Sequence, residues 1–415
     1  MINKKIASIV GASAMAVTLL AACGPVGETV TIKVWRPAED KDVMNQIIEN
    51  FKAANPGTNY NFVLQDVAEG DVKKEYEKAP QDAADVMSLA DDNLVTIMES
   101  GNVFAEIAGQ YLTDLKDANT DWTVDAATLN GKVYGFPQTA SNGYFLYYNK
   151  AFLNETEAST LEGIFAKAKE LGKKVYYPVN DGAGWYAPGL LSGPDTDLSA
   201  LTVSEEGKQV CTWDEAKYVQ HAETVKTWFN TNNYKNTHVG VEDAMDGDFL
   251  SGNAIAVISG DWKYSSYLNG AEGKEGLGAN LAAAKLPTLN GTQMRGFRGA
   301  KLVSVNAQSK VINEAIKFAA FSTNEQSQKL RFAQRAIAPS NKVAAASPEV
   351  AANIAAAALI AEQAYSYSQY ASVNGNFWAP AANITKALFN GNTYWAQEGD
   401  SASAFISAQV AQMEA

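Results

Sequence analysis

The chain has 415 residues, a net charge of −13, two cysteines and two histidines. This acidic balance disfavours binding to nucleic acid, and a chain of this length usually folds as two domains. The histidines, His221 and His238, are too few for a His-based metal site, and no Cys or His spacing indicates zinc. We therefore expect no metal centre, no cofactor and no nucleic-acid partner.

The first segment in chain order is a basic head followed by an uncharged run. Lys4 and Lys5 precede residues 6–22, which are apolar or small. This layout is typical of a secretory signal peptide, here residues 1–22, which would not be part of the folded mature protein. A simple membrane-spanning anchor is the alternative, because the run reaches the short limit of a spanning helix.

The end of this run, Leu-Ala-Ala-Cys at residues 20–23, resembles the lipobox of bacterial lipoproteins. The resemblance implies cleavage before Cys23 and a diacylglycerol on its thiol, with residues 23–28 as a lipidated leader. Acyl chains would then anchor the protein to the extracytoplasmic face of a bacterial cell membrane. Loss of Lys4 and Lys5 changes the net charge from −13 to −15. Cys211 is left without a disulfide partner, and we expect it to be an inert packing residue.

The mature chain opens with a β-α-β pattern. Residues 29–35 alternate between apolar and polar, apolar residues recur at helical spacing over 43–51, and residues 60–64 alternate again. Such a unit is typical of a parallel sheet covered by helices.

Further elements follow the same α/β pattern. Residues 254–258 are apolar throughout, as in a strand that is buried on both faces. Residues 311–319 carry an apolar helical stripe, and Thr323-x-x-Gln326 predicts a capping box that opens the next helix. Other extended segments are predicted at residues 84–89, 131–137 and 144–148.

Trp, Asp, Asn and Lys recur just after the predicted strands, within residues 35–41, 91–93 and 259–262. Ligands of doubly wound sheets bind beyond the carboxyl ends of the strands. Indole rings pack on the apolar faces of sugar rings, while carboxylates and amides bond to hydroxyls. The alternative for each residue is structural, since a Trp can be core and an Asp can cap a helix.

Several motifs resemble those of the extracellular solute-binding proteins of ATP-driven importers, in the group that binds maltose and maltodextrin. The most specific are residues 130–137 (NGKVYGFP) and 146–150 (LYYNK). Further matches are 34–36 (VWR) with Asp40-Lys41, 84–92 (ADVMSLADD), 99–101 (ESG), 105–107 (AEI), 249–262 (FLSGNAIAVISGDW) and 375–378 (GNFW). The resemblance extends from about Thr29 to the C-terminus.

The resemblance implies an α/β fold of two periplasmic-binding-protein-like lobes, joined by hinge strands around an interlobe cleft. We expect the chain to cross between the lobes near residues 138–142, 287–291 and 337–341. Residues 29–138 and 290–338 then form the N-lobe, and residues 139–289 and 339–415 form the C-lobe.

The resemblance also implies the ligand-binding residues. These are Trp35, Asp40, Lys41, Asp91, Asp92 and Asn93 in the N-lobe, Asn142 at the first crossing, and Trp185, Tyr186, Trp262 and Trp378 in the C-lobe. The sequence departs from the family's maltose binder at positions that hold Leu89, Asn93, Ala381 and Ala382 here. Arg295 and Arg298 have no recognised counterpart. The binding mode is therefore implied more firmly than maltose itself.

The implied function is binding rather than catalysis. A malto- or other gluco-oligosaccharide enters the cleft, the lobes close, and the closed monomer docks on the permease of an ABC transporter. A glycoside hydrolase is one alternative, because Asp91, Asp92 and Asp261 supply carboxylates. A binder for another oligosaccharide, a peptide, a polyamine or chelated iron stays open. A structural adhesin is disfavoured because the sequence lacks tandem repeats.

Overall fold

The structure is a computed structural model. It describes residues 29–98, 100–180, 184–192, 201–204, 208–212, 214–271, 273–369, 373–390 and 401–415. The predicted signal peptide, the leader and Cys23 lie outside these residues. The described chain forms two α/β lobes, each built on a five-stranded sheet. Within this part of the chain, no helix is long and apolar enough to cross a membrane.

The strands are, in chain order, β1 (Val30–Arg36), β2 (Tyr60–Asp66), β3 (Val86–Ala90), β4 (Thr128–Leu129), β5 (Lys132–Val133), β6 (Phe136–Thr139), β7 (Phe145–Asn149), β8 (Lys174–Tyr176), β9 (Leu201–Val203), β10 (Gln209–Cys211), β11 (His238–Val239), β12 (Ala254–Ser259), β13 (Gly270–Ala271), β14 (Lys274–Glu275), β15 (Leu281–Ala284), β16 (Thr288–Leu289), β17 (Thr292–Gln293), β18 (Phe297–Arg298), β19 (Lys301–Val305) and β20 (Tyr367–Ser368).

The helices are α1 (Lys41–Ala54), α2 (Val72–Lys78), α3 (Asp91–Met98), α4 (Gly109–Ala118), α5 (Asp121–Ala126), α6 (Glu155–Ala158), α7 (Leu161–Leu171), α8 (Ala187–Leu191), α9 (Glu215–Thr231), α10 (Met245–Leu250), α11 (Tyr264–Asn269), α12 (Ile312–Ser322), α13 (Glu325–Arg335), α14 (Lys342–Ala345), α15 (Pro348–Ala352), α16 (Ile354–Gln363), α17 (Trp378–Asn390) and α18 (Ala402–Met413). Short 3₁₀ turns include Ala38–Asp40 and Asp261–Lys263.

The N-lobe sheet has the strand order β2-β1-β3-β19-β6. β1 pairs in parallel with β2 and β3, as the β-α-β pattern predicts, and β19 runs antiparallel to β3 and β6. The apolar stripe of α1 is buried, from Val43 to Phe51, and this helix packs against α12 and α13. Burial of this stripe joins the helices to the sheet in one core.

The C-lobe sheet has the order β11-β8-β12-β7-β15. All six residues of β12 are buried, which explains their unbroken apolar sequence. Helices α9, α17 and α18 pack on one another, and α16 packs against β15. Cys211 is half-buried against the core of this lobe, and burial raises the pKa of its thiol to about 12. The thiol therefore stays protonated, as expected of a packing residue.

The two sheets locate the segments that cross between the lobes. β6 belongs to the N-lobe sheet and β7 to the C-lobe sheet, so the first crossing segment is residues 140–144. The second crossing segment is residues 298–300, because Phe297 lies in the C-lobe core and Ala300 in the N-lobe core. The expected position at residues 287–291 is wrong. That Pro- and Gly-containing stretch forms the β16–β17 hairpin, which packs against α7 of the C-lobe.

Residues 336–338, after α13, reach the C-lobe, where Ala338 packs in the core. We call them the third crossing segment, although the chain then returns to the N-lobe before it enters the C-lobe for good. Backbone N–H groups of Ser340 and Asn341 donate to Gln328 Oε1 at 2.8 and 2.9 Å. α14 packs against α13, and the chain joins the C-lobe with α16. The expected start of the C-lobe at residue 339 is therefore too early, because the polar side chain of Gln328 holds this loop.

The predicted capping box at Thr323 is also wrong. Helix α13 begins after Asn324, whose side chain accepts the Ser327 N–H at 2.9 Å. The Thr323 hydroxyl instead donates to the Ala319 carbonyl of the preceding helix at 2.9 Å. Asn is at least as good an N-cap as Thr, and it stands one residue later.

Candidate ligand-binding cleft

A cavity of about 440 Å³ lies between the lobes, beyond the ends of the sheet strands. Its N-lobe lining comes from the segments after β1 and β2, from Lys301 and from α13, and its C-lobe lining is formed by Trp185 and Trp262. The first crossing segment forms part of its lining. The lining residues are Pro37, Glu39, Asp40, Ala68, Glu69, Thr139, Ser141, Asn142, Trp185, Trp262, Lys301, Arg331, Arg335 and Ile337.

A second cavity of about 440 Å³ adjoins the first. Both cavities are lined by Asn142, Trp185 and Lys301, so together they form one continuous cleft. The second cavity adds Asp92 from the N-lobe and Trp378 from the C-lobe. Trp185 therefore stands at the middle of the cleft.

The C-lobe wall of the cleft is aromatic. The rings of Trp185 and Trp262 have centroids 5.9 Å apart and are tilted by 39°. Tyr144 supports Trp185 edge-on at 4.8 Å, and the indole N–H of Trp185 donates to Gln369 Oε1 at 3.0 Å. Trp262 is 39% exposed, which is unusual for so large an apolar side chain. This wall presents indole surface to whatever enters.

Trp378 extends this wall into the second cavity. It is the first residue of α17 and is half-buried. Its ring packs against Phe297 and Phe377, with centroids at 5.7 and 5.5 Å. These neighbours fix the ring while part of its surface faces the cleft.

The N-lobe wall is ionic and more deeply buried. Asp40 is 1% exposed and pairs with two arginines of α13, Arg331 at 3.2 Å and Arg335. Burial alone would raise the pKa of Asp40, but the charges and hydrogen bonds of the arginines outweigh burial and lower this pKa. Asp40 is therefore ionised at neutral pH, with both carboxylate oxygens engaged by guanidinium groups.

Glu69 and Lys301 form the second ionic pair of this wall, with Nζ and Oε2 3.7 Å apart. Burial raises the pKa of Glu69, and the charge of Lys301 opposes the rise. The Lys301 ammonium also donates to Asn142 Oδ1 at 3.2 Å. Lys301 thus links the N-lobe wall to the first crossing segment.

The structure brings together six of the residues expected in the site. They are Asp40, Asp92, Asn142, Trp185, Trp262 and Trp378, and each lines one or both cavities. The other five, Trp35, Lys41, Asp91, Asn93 and Tyr186, line neither cavity.

Trp35 and Lys41 were expected in the site, but the structure places both outside the cavities. β1 continues to Arg36, so Trp35 lies within the sheet and its ring is buried in the N-lobe core, 5% exposed. Its indole N–H donates to Gln65 Oε1 at 3.0 Å. Lys41 is the first residue of α1, and its side chain is exposed. Neither residue lines either cavity of the cleft.

Asp91, Asn93 and Tyr186 lie behind the walls. Asp91 is fully buried, and burial followed by the charge of Asp92 raises its pKa to about 7. Asn93 is buried and accepts the Lys73 N–H at 3.4 Å. Tyr186 packs behind Trp185 at 5.1 Å. We therefore assign these residues a supporting position rather than ligand contact.

Sequence reasoning missed the charged residues Glu69, Lys301, Arg331 and Arg335, and also Gln369. One signal was available, because Arg331 and Arg335 are four residues apart and share a face of α13. Lys301 reaches the cleft because β19 is antiparallel to β3, so that it starts where β3 ends. Pairing of such distant strands is not readable from local pattern.

The carboxylates do not form a hydrolytic pair. Of Asp91, Asp92 and Asp261, only Asp92 lines the cleft, while the other two are buried and bonded to backbone N–H groups. Among the described residues, no group of three His, Cys, Asp or Glu side chains is placed to hold a metal ion.

The family model described as bacterial extracellular solute-binding protein matches residues 46–358. The chain belongs to this family of bacterial extracellular solute-binding proteins. The prediction of a solute-binding protein rather than an enzyme is confirmed by this membership.

Two relatives come from Bacillus subtilis (strain 168). The galactooligosaccharide-binding protein is 25% identical over 427 aligned positions, with 94% of each chain covered. Maltodextrin-binding protein MdxE is 28% identical over 296 positions, with 64% of each chain covered.

Solved structures share the fold. Maltodextrin-binding protein MalE1 from L. casei BL23 is 22% identical, with a TM-score of 0.75 over 94% of this chain and 100% of that chain. A structure solved with acarbose is 26% identical, with a TM-score of 0.77 over 93% of this chain and 99% of that chain. The expected two-lobe α/β fold is confirmed.

Proposed function

We propose that this chain binds an oligosaccharide in the interlobe cleft and delivers it to the permease of an ABC transporter. The observation that carries the proposal is the facing of Trp185, Trp262 and Trp378 across one cleft from Asp92 and Lys301. Indole faces match the apolar faces of pyranose rings, and charged and amide groups match the hydroxyls at their rims. The names of the Bacillus subtilis relatives support an oligosaccharide ligand.

The proposed ligand is a malto- or other gluco-oligosaccharide. A galacto-oligosaccharide is the second candidate, because the relative that matches 94% of this chain is a galactooligosaccharide-binding protein. Both classes consist of pyranose units that stack on indole rings, so the aromatic wall accommodates either. Discrimination falls to the ionic wall, since its groups bond to hydroxyls whose orientation differs between glucose and galactose.

Titration calorimetry with a sugar panel tests the function. The panel contains malto-, galacto-, xylo- and fructo-oligosaccharides of two to seven units. We expect one pyranose class to bind with micromolar affinity, about −8 kcal/mol. A thermal shift that grows with sugar concentration is the second readout. Failure of every oligosaccharide to bind, alongside binding of a peptide or iron chelate, contradicts the proposal.

A catalytic role is tested in the same samples. The chain is incubated with the bound oligosaccharide, and the products are separated by chromatography. We expect the sugar to be recovered intact, because Asp91 and Asp261 are buried behind the walls and Asp40 and Glu69 are held in ion pairs. Release of shorter sugars supports the hydrolase alternative.

We also propose that residues 1–22 are removed and that Cys23 carries lipid. The Leu-Ala-Ala-Cys sequence supports this anchoring, which would hold the binding protein beside its permease. Mass spectrometry of the N-terminal peptide from membranes is expected to show a diacylglyceryl group on Cys23. A Cys23→Ser variant is expected in the soluble fraction, where light scattering should report a monomer. An unmodified Cys23 on a membrane-bound chain contradicts lipid anchoring.

A further inference from the structure

Two buried carboxylates, one from each lobe, hold the segments that cross between the lobes. The first is Asp91, which follows the last residue of β3 in the N-lobe. Its Oδ2 accepts the Ala300 N–H at 3.0 Å, and its own N–H donates to the Ala300 carbonyl at 3.0 Å. Its Oδ1 lies 3.5 Å from the side-chain amide nitrogen, Nδ2, of Asn142. Asp91 therefore contacts both the first and the second crossing segments.

The second carboxylate is Asp261, two residues after β12 of the C-lobe. Its Oδ1 accepts the Ser141 hydroxyl at 2.6 Å, and its Oδ2 accepts the Ala338 N–H at 3.2 Å. The Ala140 N–H in turn donates to the Ala338 carbonyl at 2.9 Å. Asp261 therefore joins the first crossing segment to the third.

The two carboxylates contact neighbouring residues of the first crossing segment. Asp91 lies against Asn142 and Asp261 against Ser141, and both of these residues line the cleft. Asp91 also fixes Ala300, which directly precedes Lys301 of the ionic wall. The positions of three cleft residues thus depend on two carboxylates that do not themselves line it.

The first and second crossing segments pack closely together beside Asp91. A Cβ added at Gly299 would lie 2.8 Å from Asn142 Nδ2 and 2.9 Å from Asp91 Oδ1. An alanine here would displace the side chains of Asn142 and Asp91, so glycine lets the first and second segments pack closely. Asn142 and Asp91 therefore meet in one close contact beside Gly299.

Charged groups around the two carboxylates are few. Asp91 faces Asp92, which repels it, and Lys301, which attracts it. Asp261 faces Lys301 and Arg335 as well as the Tyr147 ring. Lys301 thus balances both carboxylates, and burial makes their hydrogen bonds costly to lose.

We propose that Asp91 and Asp261 are positioning residues that orient Ser141, Asn142 and Lys301 and thereby set the affinity of the cleft for its oligosaccharide. This inference rests on the proposed function. Neither carboxylate touches the ligand. Each acts through the segments whose rearrangement accompanies opening and closure of the lobes.

The test compares Asp91→Asn and Asp261→Asn with the control Asp85→Asn. Asp85 also accepts one backbone N–H, from Lys33 at 2.8 Å, and one serine hydroxyl, from Ser309 at 2.6 Å. These partners lie within the N-lobe, away from the cleft. Affinity for maltotriose and for a galactotriose is measured by calorimetry well below each melting temperature, so that loss of stability does not enter the result.

We call Asp91→Asn and Asp261→Asn the hinge variants. We expect each of them to bind about tenfold more weakly, equivalent to about 1.4 kcal/mol, and the control to bind within about twofold of wild type. Small-angle scattering of the ligand-free proteins is the second readout. It is expected to show a changed radius of gyration for the hinge variants alone.

If either hinge variant fails to fold, Gly299→Ala takes its place, with Gly135→Ala as its control. A Cβ at Gly135 would lie 2.8 Å from Ser304 Oγ, inside the N-lobe. Wild-type affinity in the hinge variants, or an equal loss in the controls, overturns the inference. Absence of sugar binding by the wild-type chain overturns the proposed function instead, while the scattering comparison still tests the hinge.

Discussion

The two walls of the cleft are built from opposite chemistry. The C-lobe wall consists of partly exposed indole rings, of which Trp262 is the most open at 39%. The N-lobe wall consists of ion pairs, in which Asp40 and Arg331 are each almost fully buried. Apolar ring surface gains free energy whenever water leaves it, whatever the detail of the ligand. We therefore expect the aromatic wall to supply most of the affinity for the ligand.

The ionic wall serves a different purpose. Burial of charged groups costs free energy that their mutual attraction only roughly offsets, so Asp40, Arg331 and Arg335 add little net stability. Their hydrogen-bonding groups are instead fixed in place before the ligand arrives, and groups fixed in advance lose little entropy on binding. We therefore expect this wall to discriminate between ligands.

The largest effect is expected at Trp185, which lines both cavities. Trp185→Ala should weaken oligosaccharide binding about a hundredfold, equivalent to about 2.7 kcal/mol. Trp262→Ala and Trp378→Ala should each greatly reduce the ligand-induced thermal shift, though less than Trp185→Ala does, while the unliganded melting temperature stays near wild type.

The matched control for these variants is Trp228→Ala. Trp228 packs on Phe165 in the C-lobe core, with centroids 5.6 Å apart, and lines neither cavity of the cleft. We expect a lower melting temperature with unchanged calorimetric affinity. Equal affinity losses in Trp228→Ala and Trp185→Ala would show that the aromatic wall has no special role.

A smaller effect is expected at Lys301. Lys301→Met removes the donor that faces Glu69 and Asn142, so Glu69 loses its counter-charge. We expect about tenfold weaker binding, or about 1.4 kcal/mol, with altered preference between gluco- and galacto-oligosaccharides. The control is Lys174→Met, whose ion pair with Asp248 at 2.8 Å lies in the C-lobe. An unchanged preference in Lys301→Met contradicts the assignment of specificity to the ionic wall.

A substitution at Gly260 should shift the Trp262 ring of the aromatic wall without removing it. A Cβ at this position would lie 1.9 Å from the Trp262 ring, so Gly260→Ala must rotate an indole that has room to move. We expect about fivefold weaker binding, about 1 kcal/mol, with little loss of stability. Gly57→Ala, where nothing lies within 4 Å, is the control. Tryptophan fluorescence reports the rotated ring, and an unchanged spectrum with unchanged affinity refutes this prediction.

Burial shifts the pKa values of His238 and Asp91, which should make the free energy of unfolding depend on pH. Burial lowers the pKa of His238 in the C-lobe to about 4, below the value of about 6.5 in an unfolded chain. As pH falls from 6.5 to 4, the unfolded state takes up a proton that the native state does not, so the free energy of unfolding decreases.

Asp91 in the N-lobe acts in the opposite sense. Its pKa of about 7 means that the native state binds a proton before the unfolded state does, so acidification from 7 to 4 adds stability. Urea unfolding at several pH values should show a weaker acid destabilisation in His238→Gln and a stronger one in Asp91→Asn. Parallel pH profiles for both variants and wild type contradict these assignments.

The sequence alone predicted the positions of most residues of the aromatic wall. Trp262 lies three residues after β12, whose unbroken apolar sequence indicates a buried strand, and Trp378 lies within a motif that resembles the family. Asp92 was found in the same way after β3. These residues were predictable because position at a strand end is a local property of the sequence.

The ionic wall was not predictable in this way. Lys301 and the arginines of α13 reach the cleft only through the pairing of β19 with β3 and the packing of α13 on α1, which join residues far apart in sequence. Trp35 was placed wrongly for the converse reason. Its neighbours resemble a family motif, but β1 continues past it and its ring packs in the N-lobe core.

The central claim is that an oligosaccharide lies between an aromatic wall and an ionic wall. A crystal structure of the chain with maltotriose, or with galactotriose if calorimetry favours it, tests this claim most directly. We expect a sugar ring in van der Waals contact with Trp185, at about 4 Å, and its hydroxyls bonded to Asp92 and Lys301. A sugar bound elsewhere on the molecule, with the cleft still filled by water, would contradict the account.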